Sequence, residues 1–305
     1  MRTSPGKRIT LATAVLAAAA VAGTVYLLRD RFVEEWCLWR LGSADRIERR
    51  LAAERLGEMR SARAIPGLVA LFPTDYASEC PPRWVPQVLV KMGAPGIEAV
   101  FGLRRPDGRV HPDVFEALRE LGPGARQAIP ALVECFGSAD DGLEAAHTLV
   151  WLGPEAIPPL TRALSAAEVE VRALAAYALG QMEAVAALAV PAFLGALKDP
   201  EEQVRKKAAE ALGEIGPPAL DAVPGLIAAL KDGGEEVRET AAEALGKIGP
   251  SARAAIPALV DALDPESGAG SRAAEALAQI DRDGRAAAAL LLRKLADLRR
   301  DEPRK

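Results

Sequence analysis

The chain has 305 residues, a net charge of −4 and alanine at 62 positions. Apolar residues make up 50% of it, but aromatic residues only 4%. Because alanine and leucine favour helices, this composition predicts an all-α protein. The acidic balance argues against nucleic-acid binding, which needs clustered lysine and arginine. With two histidines and three cysteines, the chain has little material for a metal centre or histidine catalysis, so we expect no enzymatic activity, metal or cofactor.

The N-terminal region predicts a membrane anchor. Residues 1–8 form a basic flank, and residues 9–28 are a run of twenty residues without a charge. At about 1.5 Å per residue, such a run spans the ~30 Å hydrocarbon layer as a transmembrane signal anchor. The basic flank places the N-terminus in the cytoplasm and the rest of the chain on the periplasmic or extracellular side. The alternative is a secreted protein whose signal peptide is cleaved at the small residues Ala20–Ala22.

Residues 29–43 are predicted to form a juxtamembrane helix and N-terminal cap. Phe32, Val33, Trp36 and Trp39 fall along this helix. We expect them to cover the open apolar edge of the helical array that follows, since the end units of such arrays need a cap. Their alternative place is the membrane interface, where tryptophan side chains accumulate. Charge is also divided here, since residues 1–31 carry +4 and the remainder carries −8.

Three stretches of the second half repeat with a period of 33 residues. They begin VRALAAYALG at Val171, VRKKAAEALG at Val204 and VRETAAEALG at Val237. Each contains one recurrent proline, and these are Pro191, Pro224 and Pro257. The pattern continues outward in weaker form, which predicts an array of about eight units over residues 44–300. Residues 301–305 remain as a frayed tail.

Each unit predicts two helices. The first carries apolar residues at helical spacing and ends at a Gly-Pro pair such as Gly216-Pro217. Glycine adopts the left-handed conformation that follows a helix end, and proline does not continue the helix. The second helix begins at the recurrent proline, because a missing N–H group costs little in the first turn.

The motifs VRxxAAxALGxIG and AIPxLxxAL resemble HEAT-like repeats, in the short form first described in phycobilisome lyases. The resemblance is weaker around Pro81, Pro82 and Pro86 and at Asp141-Gly142. It implies an α-α superhelix of the HEAT or armadillo type, with first helices outside and second helices lining a concave surface. It also suggests an alternative function, which is lyase-like assistance in attaching a tetrapyrrole, or another accessory role of HEAT repeats.

An arginine recurs in the first helices, as Arg172, Arg205 and Arg238, and an aspartate precedes two of these helices, as Asp199 and Asp232. A ligand-binding or catalytic role is one interpretation. We instead predict a structural role, in which each aspartate caps a helix and pairs with an arginine of the same or the next unit. Such ladders keep stacked repeats in register.

The position four residues after each recurrent proline predicts the surface that the second helices expose. Its charged members are Glu134, Arg162, Asp261 and Arg293. This column has no aromatic platform and no continuous basic strip, which disfavours nucleic acid, and it offers no obvious small-molecule pocket. An extended curved array instead suits a protein segment. We therefore predict a non-enzymatic protein-interaction scaffold that residues 9–28 tether to a membrane.

Overall fold

A computed structural model describes residues 29–72, 82–105, 107–138, 140–263 and 267–301. Within these ranges the chain is helical apart from turns and one bridge between Arg104 and Val110, which confirms the all-α class. Among the described residues, no helix combines the length and apolar character needed to cross a bilayer. The predicted anchor at residues 9–28 lies outside the described residues, as does nearly all of the predicted tail.

The chain divides into two compact units, residues 1–117 and 118–305. In the first unit, the described part of helix α1 covers residues 29–40. It is followed by α2 (Arg46–Glu58), α3 (Ile65–Ala70), α4 (Trp84–Lys91), α5 (Ala94–Phe101) and α6 (Pro112–Leu121), within which the unit boundary falls. The second unit continues with α7 (Ile129–Glu134), α8 (Gly142–Leu152), α9 (Ile157–Ala163), α10 (Val169–Gln181), α11 (Val190–Ala196), α12 (Glu202–Ile215), α13 (Val223–Ala229), α14 (Glu235–Ile248), α15 (Ile256–Asp261), α16 (Gly268–Ile280) and α17 (Arg285–Asp301).

The helices from α2 onward alternate as the repeat predicts. The even-numbered helices α2–α16 are the first helices of successive pairs, and the odd-numbered helices α3–α17 are the second helices. In the second unit, the first helices α8 to α16 pack side by side, and each second helix contacts the first helix of the following pair. This stacking of helix pairs is the arrangement of a helical solenoid.

The repeated apolar positions of the first helices form the core. In α12, Val204, Leu212 and Ile215 are fully or almost fully buried, as are the alanines between them. Helix α12 then ends at Gly216, whose φ of +70° is the left-handed conformation predicted for the Gly-Pro pair. Charged residues occupy the opposite side of the helix, so helix and core both follow from one amphipathic pattern.

Small residues allow neighbouring first helices to approach very closely. A Cβ atom on Gly180 would lie 2.9 Å from the Cα atom of Ala211 in the next first helix. One on Gly213 would lie 3.0 Å from the Cα atom of Ala244. The recurrent ALG sequence therefore sets the distance between repeats, which explains much of the alanine content of the chain.

Three second helices of the regular repeats begin where the proline predicts, but each of the three has an additional segment in front of it. The first turns of α11, α13 and α15 contain Pro191, Pro224 and Pro257. A 3₁₀ segment precedes each of these helices, and the segments are Glu183–Ala189, Pro217–Ala222 and Gly249–Ala255. The α-helical part of these three second helices is therefore short, at six or seven residues.

Two of the described repeats depart from the glycine pattern, at Arg60 after α2 and at Glu183 after α10. Glu183 stands after α10 where the next two repeats have Gly216 and Gly249, and it has a φ of +52°. A side chain in this left-handed region is strained, because its Cβ atom approaches the backbone too closely.

The packing of α1 differs from the prediction. Phe32, Trp36 and Trp39 are 72%, 47% and 74% exposed, so the expectation that they cover the first repeat was wrong. Cys37 and Leu41 are buried instead, at 1% and 6% exposure. The helical period places these two positions on the side of α1 opposite the aromatic residues, and tertiary contact selected that side.

Candidate protein-binding surface

A ladder of arginine and aspartate side chains joins successive repeats of the second unit. The Arg172 guanidinium donates from Nε to Asp199 Oδ2 at 2.7 Å and from Nη2 to Asp199 Oδ1 at 2.9 Å. Arg205 makes the same two contacts with Asp232, at 2.7 and 2.8 Å. Each pair links a first helix to the loop before the next first helix, which confirms the predicted pairing between units.

The same arginines also hold the loops of their own repeats. Nη1 of Arg205 donates to the carbonyl oxygens of Asp199 and Pro200, both at 3.0 Å. Arg238 makes the corresponding contacts with two carbonyls, at 2.9 and 3.1 Å, and Arg49 in the first unit makes them at 2.6 and 3.3 Å. Arg272 pairs with Glu275 on its own helix, and residues 264–266 of the loop before it lie outside the described residues. The recurrent arginine is therefore a structural residue in the described repeats that carry the ladder.

The ladder shifts the pKa values of its members. Burial opposes ionisation of Asp199, but hydrogen bonds from Arg172 and from the Glu201 N–H group outweigh it and lower the pKa of this carboxyl. Hydrogen bonds from Arg205 are the main cause of the lowered pKa of Asp232. Both carboxylates are consequently ionised and fully engaged at neutral pH, so the ladder offers neither a general acid nor a nucleophile.

The predicted capping role of the aspartates needs correction. The N-cap residue of α12 is Glu201, and its side chain makes no capping hydrogen bond. Asp199 instead accepts from the Glu201 N–H group at 3.0 Å, and Asp232 accepts from Gly234 at 2.9 Å. These are turns closed by an aspartate two residues earlier in the chain, which orient the carboxylate toward the arginine.

Charged side chains of the first helices largely bind one another. Lys247 Nζ lies 2.7 Å from Glu214 of the preceding first helix and 2.9 Å from Glu243 of its own. Lys206 lies 2.5 Å from Glu236 across the same pair of helices. Lys206, Glu214, Glu243 and Lys247 border a shallow groove of about 360 Å³. On the exposed surface of the first helices, which we call the first-helix face, several charged side chains are therefore already engaged with one another.

The second helices present the predicted column to solvent. Glu134 on α7, Arg162 on α9, Asp261 on α15 and Arg293 on α17 are all exposed. Helix α7 packs against α9, and α15 packs against α17, so each acidic residue lies one helix away from a basic one. We call the exposed surface of α7, α9, α11, α13, α15 and α17 the second-helix face.

An apolar patch next to this face was missed at the sequence level. Leu188 is 85% exposed and Val185 is 57% exposed on the 3₁₀ segment before α11. Leu220, 47% exposed, lies on the next 3₁₀ segment, which contacts the first. Aligning the repeats on their prolines would have revealed Leu188, because the corresponding residues of the next two repeats are Asp221 and Ala254.

No metal centre is found in the part of the chain that the structure describes, where no three histidine, cysteine or acidic residues cluster suitably. His147 instead lies 3.0 Å from the hydroxyl of Tyr177 on the next first helix. Burial lowers the pKa of His111, which packs edge-on against Phe72. Cys80, one of the three cysteines that could in principle bind a metal, lies outside the described residues.

The stacked helix pairs, the recurrent prolines and the inter-repeat ladder agree with one known family model. The model described as HEAT repeats matches residues 190–278 and 223–305. This part of the chain is similar to HEAT repeats. Toward the N-terminus the helix pairs keep this HEAT-like architecture, although the sequence pattern weakens. No curated protein sequence matches the chain.

Solved structures with similar folds extend the comparison over more of the chain. Kap121p bound to Pho4p is 16% identical, with a TM-score of 0.57 over 88% of this chain and 36% of that one. Kap121p bound to Nup53p is also 16% identical, with a TM-score of 0.55 over 80% of this chain and 33% of that one. The complex of CpcE and CpcF of phycocyanin lyase from Nostoc sp. PCC7120 is 23% identical, with a TM-score of 0.44 over 49% of this chain and 97% of that chain. The likeness to Kap121p is one of fold.

Proposed function

We propose that the HEAT-like repeats form a non-enzymatic scaffold that binds a protein segment along the second-helix face. The observation that carries this proposal is the composition of the second-helix face, which combines exposed charged side chains of both signs with the exposed Leu188 two residues before α11. On the first-helix face, several charged side chains are engaged in ion pairs such as that of Lys247 with Glu214.

The chemistry of this face favours a protein partner. Glu134, Arg162 and Asp261 place acidic and basic side chains on separate second helices. Such a surface suits a peptide with complementary side chains. Leu188 and Leu220 provide apolar contact area, which protein interfaces require at their centre. Kap121p, which has a similar fold, is known in complexes with Pho4p and Nup53p. This analogy of fold supports the proposal, although fold alone does not assign function.

We also propose that residues 9–28 tether this scaffold to a membrane, with the repeats on the periplasmic or extracellular side. The support is the length of the uncharged run and the three basic residues that precede it. Extraction of membranes at alkaline pH tests the tether. The full chain is expected to stay in the membrane pellet, and a variant that lacks residues 1–28 is expected to appear in the supernatant. Recovery of the full-length chain in the supernatant would contradict the tether.

Charge reversal tests the binding face. The variant E134R/R162E/D261R changes three exposed side chains on α7, α9 and α15. We expect it to keep its helical content and to lose the proteins that copurify with the full-length chain. Each reversed side chain would repel the partner group that the native side chain attracts. Unchanged copurification would contradict the binding face.

A matched control makes the same change in net charge, but on the first helices. The variant E170R/K206E/E275R also reverses two acidic residues and one basic residue, at exposed or part-exposed positions of α10, α12 and α16. We expect it to retain the partner. The lyase-like alternative is tested by adding a bilin and an acceptor protein to the same variants. Formation of a covalent bilin adduct on the acceptor, at the same level with both variants as with the native chain, would favour that alternative.

A further inference from the structure

Helix α1 has two chemically different sides. Phe32, Trp36 and Trp39 lie within about 60° of one another on the helical wheel, at 100° per residue. All three are exposed. The buried residues Cys37 and Leu41 lie on the opposite side. The helix therefore uses one side to pack in the first unit and presents three large aromatic rings on the other.

Two acidic residues of α1 are engaged in ion pairs with the first repeat. Glu34 and Glu35 both bind Arg63, at 3.6 and 2.8 Å, and Glu34 also accepts a hydrogen bond from Ser61. These contacts attach α1 to the 3₁₀ segment of the first repeat and offset part of the charge of the two carboxylates. Glu35, which is the nearer of the two to the aromatic rings on the helical wheel, is therefore paired. An unpaired carboxylate at this position would oppose contact with a lipid surface.

Arg40 orders the two tryptophan rings. Its guanidinium carbon lies 4.7 Å from the ring centre of Trp36 and 5.9 Å from that of Trp39. The same guanidinium is paired with Glu48 at the start of α2. Cation–π contacts of this kind hold aromatic rings in place. The exposed aromatic side is therefore a preformed surface.

The position of this surface in the chain indicates its occupant. The uncharged run ends at Leu28, and Phe32, the first exposed ring, comes four residues later. Tryptophan and other aromatic side chains concentrate at the level of lipid headgroups, where an apolar ring and a polar edge are both accommodated. If residues 9–28 cross the bilayer, α1 follows them directly in the chain. It would then lie no farther from the lipid headgroups than the length of one short helix.

We infer that α1 is an interfacial helix, whose aromatic side, Phe32, Trp36 and Trp39, lies in the headgroup layer of the bilayer. This inference rests on the proposed membrane tether. It extends that proposal, because the tether alone leaves the first unit free to rotate above the membrane. Contact through α1 fixes the first unit against the lipid surface, so that α1 acts as the connection between tether and repeats.

Depth-dependent fluorescence quenching tests the inference. The full-length variant W84F/W151F keeps only Trp36 and Trp39 and is reconstituted in vesicles of phosphatidylcholine and phosphatidylglycerol. We expect its emission to be shifted to shorter wavelength and to be quenched when the phosphatidylcholine is brominated on its acyl chains. The matched control W36F/W39F/W84F keeps only Trp151, which is 69% exposed in α8 of the second unit. We expect this control to emit at the wavelength of tryptophan in water and to show little quenching.

The outcomes separate the inference from the proposal beneath it. If the chains enter the vesicles but the two variants show equal, weak quenching, the interfacial helix is overturned and the tether stands. The aromatic surface would then be available to a protein partner. Chains that do not enter the vesicles at all would overturn both. Quenching of Trp36 and Trp39 alone would support the inference.

Discussion

Arg172 and Asp199 form a two-point contact, at 2.7 and 2.9 Å, between one repeat and the loop that begins the next. Both side chains are about one-tenth exposed. Arg205 and Asp232 repeat this geometry 33 residues later. Because a planar guanidinium fits a carboxylate in only a few orientations, the pair fixes the angle between successive repeats as well as their distance.

Replacing Asp199 with alanine should destabilise the second unit by about 2 kcal/mol, because it leaves the largely buried Arg172 without its carboxylate. Chemical denaturation followed by circular dichroism measures this loss. The control is Glu236→Ala, which removes the exposed partner of Lys206, and solvent screening should make its effect much smaller. Equal effects of the two substitutions would show that burial does not strengthen the ladder.

The ladder should also give the chain a defined acid sensitivity. The folded-state pKa values of Asp199 and Asp232 lie below the ordinary value of 3.8. Their stabilising contribution is therefore complete above that value and is lost as the pH falls through the folded-state pKa values. We expect D199N/D232N to have a lower free energy of unfolding than the native chain at pH 6 to 7. The difference between the two proteins should narrow below about pH 4. A difference that stays constant down to pH 2.5 would contradict this assignment.

The strained Glu183 provides a stabilising substitution. Glycine adopts a φ of +52° without a steric penalty, so Glu183→Gly should raise the free energy of unfolding by about 0.5–1 kcal/mol. The reciprocal control is Gly216→Ala, where a φ of +70° would be imposed on a side chain, and this change should destabilise. Thermal unfolding of both variants decides the question, and a lower melting temperature for Glu183→Gly would mean that its carboxylate contributes more than the strain costs.

Close packing of the first helices should tolerate no large side chain. Gly213→Leu forces atoms into the contact with Ala244 and should cost about 1–3 kcal/mol. Gly195, on α11, has open space around the position of a Cβ atom. Gly195→Ala should therefore leave stability unchanged or raise it slightly, since alanine favours helix. Equal melting temperatures for Gly213→Leu and the native chain would contradict the observed register of the repeats.

Much of the repeat architecture could be predicted from the sequence, because its signals are local and recur every 33 residues. Pro224 marks the first turn of α13, and Gly216 marks the end of α12. The pairing of Arg205 with Asp232 was predictable in kind, since both residues recur with the same period. Its geometry was less predictable, because Asp232 closes a turn before the helix rather than capping it.

Features that depend on a single packing choice were not predictable in this way. The period of α1 is compatible with burying either Trp36 and Trp39 or Cys37 and Leu41, and only contact with the first repeat selects the second pair. The exposed column of Glu134 and Arg162 followed from the position of the prolines. The sequence contains no signal for which of its members bind a partner, because that depends on the chemistry of the partner as well.

Site-specific photocrosslinking tests the binding face most directly. A photoreactive amino acid would replace Ala228, an exposed small residue of the second-helix face on α13, and in a second protein Glu243, on the first-helix face of α14. The proposed scaffold predicts a crosslink to the partner from position 228 and none from position 243. A crosslink from position 243 alone would contradict it.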